Sequence, residues 1–208
     1  PDKRVFKGTL KDNEVHGYGL ITFDDDTKYL GTFLDDSFHK GIIITPESIF
    51  STTVDDETLP SGQGSILYKG GYAVFVGELA SDEYNGIGII YVLKNNEDIE
   101  VFEGDIALGE WKDGELIIDY TTELSKCHND SDSGLISTAA ICFGKETFIF
   151  EGVEYTNVGV FDNLNLTLGY SKTDLGELKI GFFKDFLLEG HGYQFIPEEN
   201  NNQSYFGE

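Results

Sequence analysis

The chain repeats a pattern that is too short to close a domain and too regular to arise by chance. Phe6-Lys7-Gly8-Thr9-Leu10, five residues, then His16-Gly17-Tyr18-Gly19 returns as Phe75-Val76-Gly77-Glu78-Leu79, five residues, Asn85-Gly86-Ile87-Gly88. It returns again as Lys179-Ile180-Gly181-Phe182-Phe183, five residues, Glu189-Gly190-His191-Gly192. The first copy runs straight into the next, and Gly8 and Gly31 stand 23 residues apart. A fixed period of this size marks an array of stacked units, because each unit alone cannot bury its apolar face.

Each unit reads as a pair of short strands. Residues 5–11 and 17–23 alternate with period two, so Phe6, Gly8 and Leu10 share one face, and Gly17, Gly19, Ile21 and Phe23 share another. Glycine normally weakens a strand, but between large residues it makes room for a ring to lie on the backbone. Gly19, Gly31, Gly77, Gly88, Gly104 and Gly181 are read as such packing positions. The links carry residues that accept a left-handed turn: Asn13, Asp36, Asp82 and Gly109 in corresponding places, and Asp24-Asp25-Asp26 in the next link. A lone hairpin is marginal in water, so stability must come from stacking. No stretch of 11 or more residues holds a 3.6-residue period, and Asp55–Thr58 is at most one helical turn. The expectation is an all-β fold: an elongated, curved array of antiparallel β-hairpins forming a single twisted sheet.

The pattern resembles the MORN repeat (membrane occupation and recognition nexus), whose unit reads Tyr-x-Gly-x-Trp/Phe-x-x-Gly-x-x-His-Gly-x-Gly and ends in Asp-Gly. Clear copies start at Phe6, Tyr29, Phe75 and Phe102, with another around Lys179 and a degenerate one at Asn157-Val158-Gly159-Val160-Phe161. Ser61-Gly62-Gln63-Gly64 with Gly70-Gly71 fits a further unit, and Tyr205-Phe206-Gly207 looks like the opening of one more. The departures are Lys40 in place of a glycine, Asp26 where Asp-Gly is usual, and residues 125–149, which lose the register. The organisation expected is a MORN-like array over 1–125, an irregular polar break over 126–145, and a second, more degenerate array over 146–208. With no methionine and an end inside a repeat, the chain reads as a piece of a longer protein.

Charge limits the partners. Asp and Glu number 38 against 14 Lys and Arg, a formal net charge of -24, and Arg4 is the single arginine. Nucleic-acid binding needs clustered basic side chains against phosphates, and an anionic leaflet attracts basic segments, so neither partner is expected. No apolar run is long enough to span a bilayer and no basic-then-apolar leader is visible, which makes cytoplasmic the expected location. Cys127 and Cys142 are too few for a disulfide framework and read as free thiols.

Catalytic and metal-binding signals are thin. Asn129, Ser131, Ser133, Gly134 and Ile136 imitate the opening of an EF-hand loop, but Ala140 stands where the bidentate glutamate belongs. Cys127, His128 and Cys142 lack paired zinc-ligand spacing. His16, His39 and His191 accompany the Gly-x-Gly turns and read as turn histidines. The Gly-x-Gly elements precede strands, whereas a phosphate loop needs a helix after it. No cofactor, metal or enzymatic activity is expected.

The function expected is a non-enzymatic scaffold, with the cytoskeleton one setting, that presents an acidic, aromatic-lined surface to a protein with a basic segment. Phe33, Tyr91, Phe102, Trp111, Phe150 and Phe183 are the candidate anchors, because aromatics dominate interface hot spots. For any one of these rings, packing between repeats competes with that role and outweighs it. The resemblance implies an alternative, an accessory domain of a larger enzyme such as a SET-type lysine methyltransferase or a lipid kinase. Residues Phe102 to Leu116 are similar in spacing to the last repeat of such arrays. The residues after them return to MORN-like units, with no SET-type catalytic motif.

Overall fold

The computed structural model describes residues 4–55, 58–94, 104–121, 142–162, 165–197 and 203–207. Sixteen strands follow one another along the chain. They are β1 (Val5–Lys11), β2 (Glu14–Thr22), β3 (Lys28–Leu34), β4 (Ser37–Ile44), β5 (Ser48–Val54), β6 (Pro60–Tyr68), β7 (Ala73–Ala80), β8 (Glu83–Val92), β9 (Ile106–Lys112), β10 (Glu115–Asp119), β11 (Cys142–Phe150), β12 (Val153–Asp162), β13 (Asn165–Thr173), β14 (Leu178–Lys184), β15 (Leu187–Ile196) and β16 (Gln203–Gly207). Among the described residues the helical positions are a 3-10 turn at Lys69–Gly71 and Thr121. The all-β hairpin array is as expected, but it forms two sheets instead of one: β1 to β10 in sequence order, and β11 to β16 in sequence order. Of the expected 126–145 break, residues 126–141 lie outside the description, and 142–145 already belong to β11.

One register governs both sheets. In the first, Gly8 pairs with Gly19, Gly19 with Gly31 and Gly31 with Gly41; after Thr52, Gly64 pairs with Gly77, Gly77 with Gly88 and Gly88 with Gly109. In the second, the row runs Gly144, Gly159, Gly169, Gly181, Gly192, Gly207. This transverse row corrects three sequence assignments. Gly41, not the residue at Lys40, takes the glycine position of β4. Gly109 is an interior strand residue, and the turn belongs to Asp113-Gly114. Gly104 sits in a turn at φ 89 with nothing within 4 Å of a would-be Cβ, so it is not a packing glycine.

The row works as a crease. A Cβ on Gly8 would meet the Phe6 ring at 2.6 Å and the Gly19 backbone at 2.7 Å, and on Gly77 it would meet the Phe75 ring at 2.7 Å. Without side chains there, rings from either side of the row reach over the bare backbone and meet in a trough above it. Tyr29 lies 5.0 Å from Phe38, Phe75 stacks on Tyr84 at 4.2 Å, and Phe6 meets Phe33 edge-on at 6.1 Å. The glycine-bearing face is thereby filled by its own aromatic side chains.

The opposite faces bind the sheets together. Val74, Val76, Ile89, Tyr91 and Leu108 of the first sheet form one buried cluster with Val160, Leu168, Leu178 and Ile180 of the second. Strand contacts run in step, β16 on β5, β15 on β6 and β7, β14 on β7 and β13 on β8, so the strands are aligned and the second sheet doubles back along the first. Aligned strands let alternating inward residues from both sheets interdigitate, and here β-branched and leucine side chains pack with rings such as Tyr91 and Tyr170, whose centroids lie 5.0 Å apart.

Candidate functional site: the aromatic trough

The proposed anchors separate clearly once burial is known. Phe33, Tyr91, Trp111 and Phe183 are buried, so the structure assigns them to packing: Phe33 and Trp111 in the first trough, Phe183 in the second, and Tyr91 between the sheets. Burying such a ring stabilises the fold by about 1.5–3 kcal/mol, and a ring committed in this way cannot also be offered to a partner. Trp111 is fixed further by an indole N–H that donates to the Gly88 carbonyl at 3.1 Å. Among the described candidates Phe150, 60 % exposed, is the one open to solvent. Phe102 lies outside the described residues.

A different set of rings lines the open part of the trough. Two adjoining shallow depressions on the glycine face share Ser48, Phe50 and Asp82. One is lined by Ile66, Tyr68 and Tyr84, the other by Tyr29, Ile43 and Pro60. Tyr29, Phe50, Tyr68 and Tyr84 are all half-buried, so each leaves part of its ring accessible along one continuous groove. The sequence could have found them: each sits at a period-two position on the glycine face, as Phe6 and Phe75 do.

Carboxylates line the rim. Asp82 and Glu83 stand at one wall, and Asp25 lies close enough to Tyr29 to act on its phenol. The Tyr84 hydroxyl is pushed well above the usual phenol range by burial, and Tyr29 is raised by burial first and by the Asp25 charge second. These tyrosines stay neutral at physiological pH and present apolar rings with a polar tip. The groove therefore combines flat apolar surface with negative charge, and its described lining residues include no basic side chain.

Two histidine contacts bear on catalysis. His16 Nδ1 lies 3.3 Å from Asp35 at a hairpin tip. His191 Nδ1 lies 3.1 Å from Ser51 Oγ, joining β15 to β5 across the sheets. A serine beside a histidine is the arrangement a nucleophile needs, but Ser51 is 2 % exposed and neither depression reaches it, so the pair joins the layers. Sequence reading placed His191 in a turn and could not have placed it opposite Ser51, 140 residues away. Among the described residues no group of three His, Cys, Asp or Glu could hold a metal ion, and no helix is long and apolar enough to cross a membrane. Cys127, His128 and the loop at 129–140 lie outside the described residues.

No protein-family model matches the chain, and no curated protein matches it.

Proposed function

We propose that this chain is a MORN-type, cytoplasmic, non-enzymatic scaffold that takes an extended basic segment of a partner protein into the trough on the glycine face of β3–β8. The observation that carries the reading is the continuous groove in which Tyr29, Phe50, Tyr68 and Tyr84 remain half-exposed beside Asp82 and Glu83. Aromatic faces attract lysine and arginine side chains lying over them by about 0.5–1 kcal/mol each at exposed sites. The carboxylate rim and the net charge of -24 speed encounter with a cation. The same charge disfavours nucleic acid and anionic lipid surfaces.

The test uses a fluorescently labelled peptide of alternating lysine and leucine, and its glutamate counterpart, titrated against the intact chain. The lysine peptide is expected to bind, with an association rate that falls as salt rises, because screening limits exposed charges to roughly 8 Å at about 0.15 M. Tyr68→Ala and Phe50→Ala should mainly speed dissociation. Binding that ignores salt, or that survives both ring truncations unchanged, would remove the trough from consideration.

A further inference from the structure

One register row of the first sheet alternates rings with isoleucine. Tyr29, Ile43, Phe50, Ile66 and Phe75 pair in turn across β3 to β7, and the alternation runs back through Ile21 to Phe6. The row stands two residues from the glycine row on the trough face, so it follows the trough and crosses the strands. Its rings stand up and its isoleucines lie low. Tyr29 and Phe50 are half-buried, whereas Ile43 and Ile66 are each 3 % exposed. Phe75 is enclosed, and Tyr84, stacked on it at 4.2 Å, takes its place at the surface. The two depressions are the hollows of this relief. One lies over Ile43 between Tyr29 and Phe50, the other over Ile66 between Phe50 and Tyr84.

The pitch of the relief selects a conformation. Neighbouring strands lie about 4.8 Å apart, so rings on alternate strands, and the hollows between them, recur about every 9.5 Å. An extended strand repeats its side chains on one face about every 6.8 Å, and an α-helix turns about every 5.4 Å. A polyproline II helix has three residues per turn and rises about 3.1 Å per residue, which gives about 9.3 Å. Backbone hydrogen bonding points the same way. Strands β3 to β8 are paired on both sides, so the floor of the trough offers a ligand no strand to pair with. A polyproline II chain needs none, and each proline in it lacks an N–H. Its carbonyls accept from hydroxyls, and Tyr29 and Tyr84 keep their phenolic protons at neutral pH.

Across the glycine row from the rings, Asp82 and Glu83 stand exposed at the tip between β7 and β8, and Asp82 borders both hollows. A threefold helix brings every third side chain round to that wall. We infer that the basic partner segment enters the trough as a left-handed polyproline II helix, with proline at every third position seated over Ile43 and Ile66 and lysine or arginine at every third position turned to Asp82 and Glu83. The inference rests on the trough being the partner site, and adds the conformation and spacing of what enters it.

The probes are three fluorescein-labelled peptides of equal charge: four repeats of Pro-Leu-Lys, four repeats of Gly-Leu-Lys, and a scramble of the first that breaks the spacing. Each is titrated by anisotropy against the full chain. The Pro-Leu-Lys peptide is expected to bind roughly tenfold tighter than the other two, because a chain already in the bound conformation loses less freedom. Phe50→Ile, which levels the ridge between the hollows, should abolish the preference over the scramble. Asp82→Asn with Glu83→Gln should weaken the Pro-Leu-Lys and Gly-Leu-Lys peptides alike. If Phe50→Ile fails to fold, this pair, at exposed positions, carries the test of placement. Equal affinity for all three peptides overturns the inference and leaves the trough standing as a site for basic segments. A preference that survives Phe50→Ile, or binding indifferent to the loss of both carboxylates, overturns it as well. If the alternating lysine–leucine peptide also fails to bind, the trough itself falls and the inference with it.

Discussion

Asp36 holds Val15 by both of its backbone polar groups. The Asp36 carboxylate accepts from the Val15 N–H at 2.7 Å, while the Asp36 N–H donates to the Val15 carbonyl at 3.0 Å. Asp174 does the same to Glu154, at 3.2 Å and 3.0 Å, in the second sheet. Two other hairpins keep half of this clip: Asp82 donates to the carbonyl of Pro60, which has no N–H to return, and Gly114 donates to Tyr84 but has no carboxylate. These four tips are thus stitched to the hairpins before them, which couples neighbouring repeats.

Glycine substitutions separate the side-chain half of the clip from backbone strain. Asp36 and Asp82 both sit at φ 67, where glycine is comfortable. Asp36→Gly should destabilise by about 1 kcal/mol through the lost charge-assisted hydrogen bond. Asp82→Gly, which loses no such bond, should be neutral or slightly stabilising. Urea denaturation midpoints compare the two, and equal effects would remove the carboxylate from the account.

The crease predicts a contrast between glycines. Gly88→Ala would place a Cβ 2.6 Å from the Phe75 ring and should cost roughly 1–3 kcal/mol by overpacking. Gly114→Asn, at φ 79 with nothing within 4 Å, should stay within about 0.5 kcal/mol. Thermal or chemical unfolding of the two single variants measures the difference.

Phe186 occupies a turn position that holds Asn13, Asp36, Asp82, Gly114 and Gly152 in other hairpins, and it does so at φ 65 while 58 % exposed. A bulky side chain there is strained, and its ring contact among the described residues is an edge contact with Phe148 at 6.3 Å. Phe186→Asn should therefore stabilise the chain by about 0.5–1 kcal/mol. A destabilised variant would show that the ring contributes more to the second trough than its exposure suggests.

Tyrosine burial sets an alkaline limit. Tyr84, Tyr170, Tyr193 and Tyr29 all have phenols raised above 10.0, chiefly by desolvation. Above that pH the unfolded chain releases phenolic protons that the folded chain retains, so the unfolded state binds fewer protons and stability falls as pH rises. Below pH 10 this contribution is fully present. Denaturation midpoints followed from pH 8 to 11 should drop at the upper end, and Tyr84→Phe should flatten the drop. Absorbance titration at the phenolate band reports the same groups directly.

Much of this was legible in the residues. Period-two alternation located the strands, and Asn13, Asp36 and Asp82 do occupy left-handed turn positions as their chemistry requires. The packing glycines 19, 31, 77, 88 and 181 were legible because a ring stands two residues away or across the pair. Gly104 misled because Phe102-x-Gly104 imitates the motif locally, whereas register is a property of the neighbouring strand, and Gly88 pairs with Gly109. Ring exposure was not legible at all. Phe33 and Phe50 look alike in sequence, and only the crease decides that one is enclosed by Phe6 and Phe38 while the other lines a groove. The second sheet doubling onto the first was equally hidden, since alternation cannot say which periodic face meets which.

A corrugated layer laid on another with the same pitch has several near-equal resting places, one for each repeat. Val, Ile and Leu recur along both faces of the sandwich, so shifting the second sheet by one repeat would exchange one apolar contact for another of similar quality. The Ser51–His191 hydrogen bond joins one particular pair of side chains across the interface, so it exists in one alignment only. It acts as an index mark on a vernier: weak beside the apolar contacts around it, it breaks the degeneracy among them and thereby fixes which strands of the two sheets lie on one another.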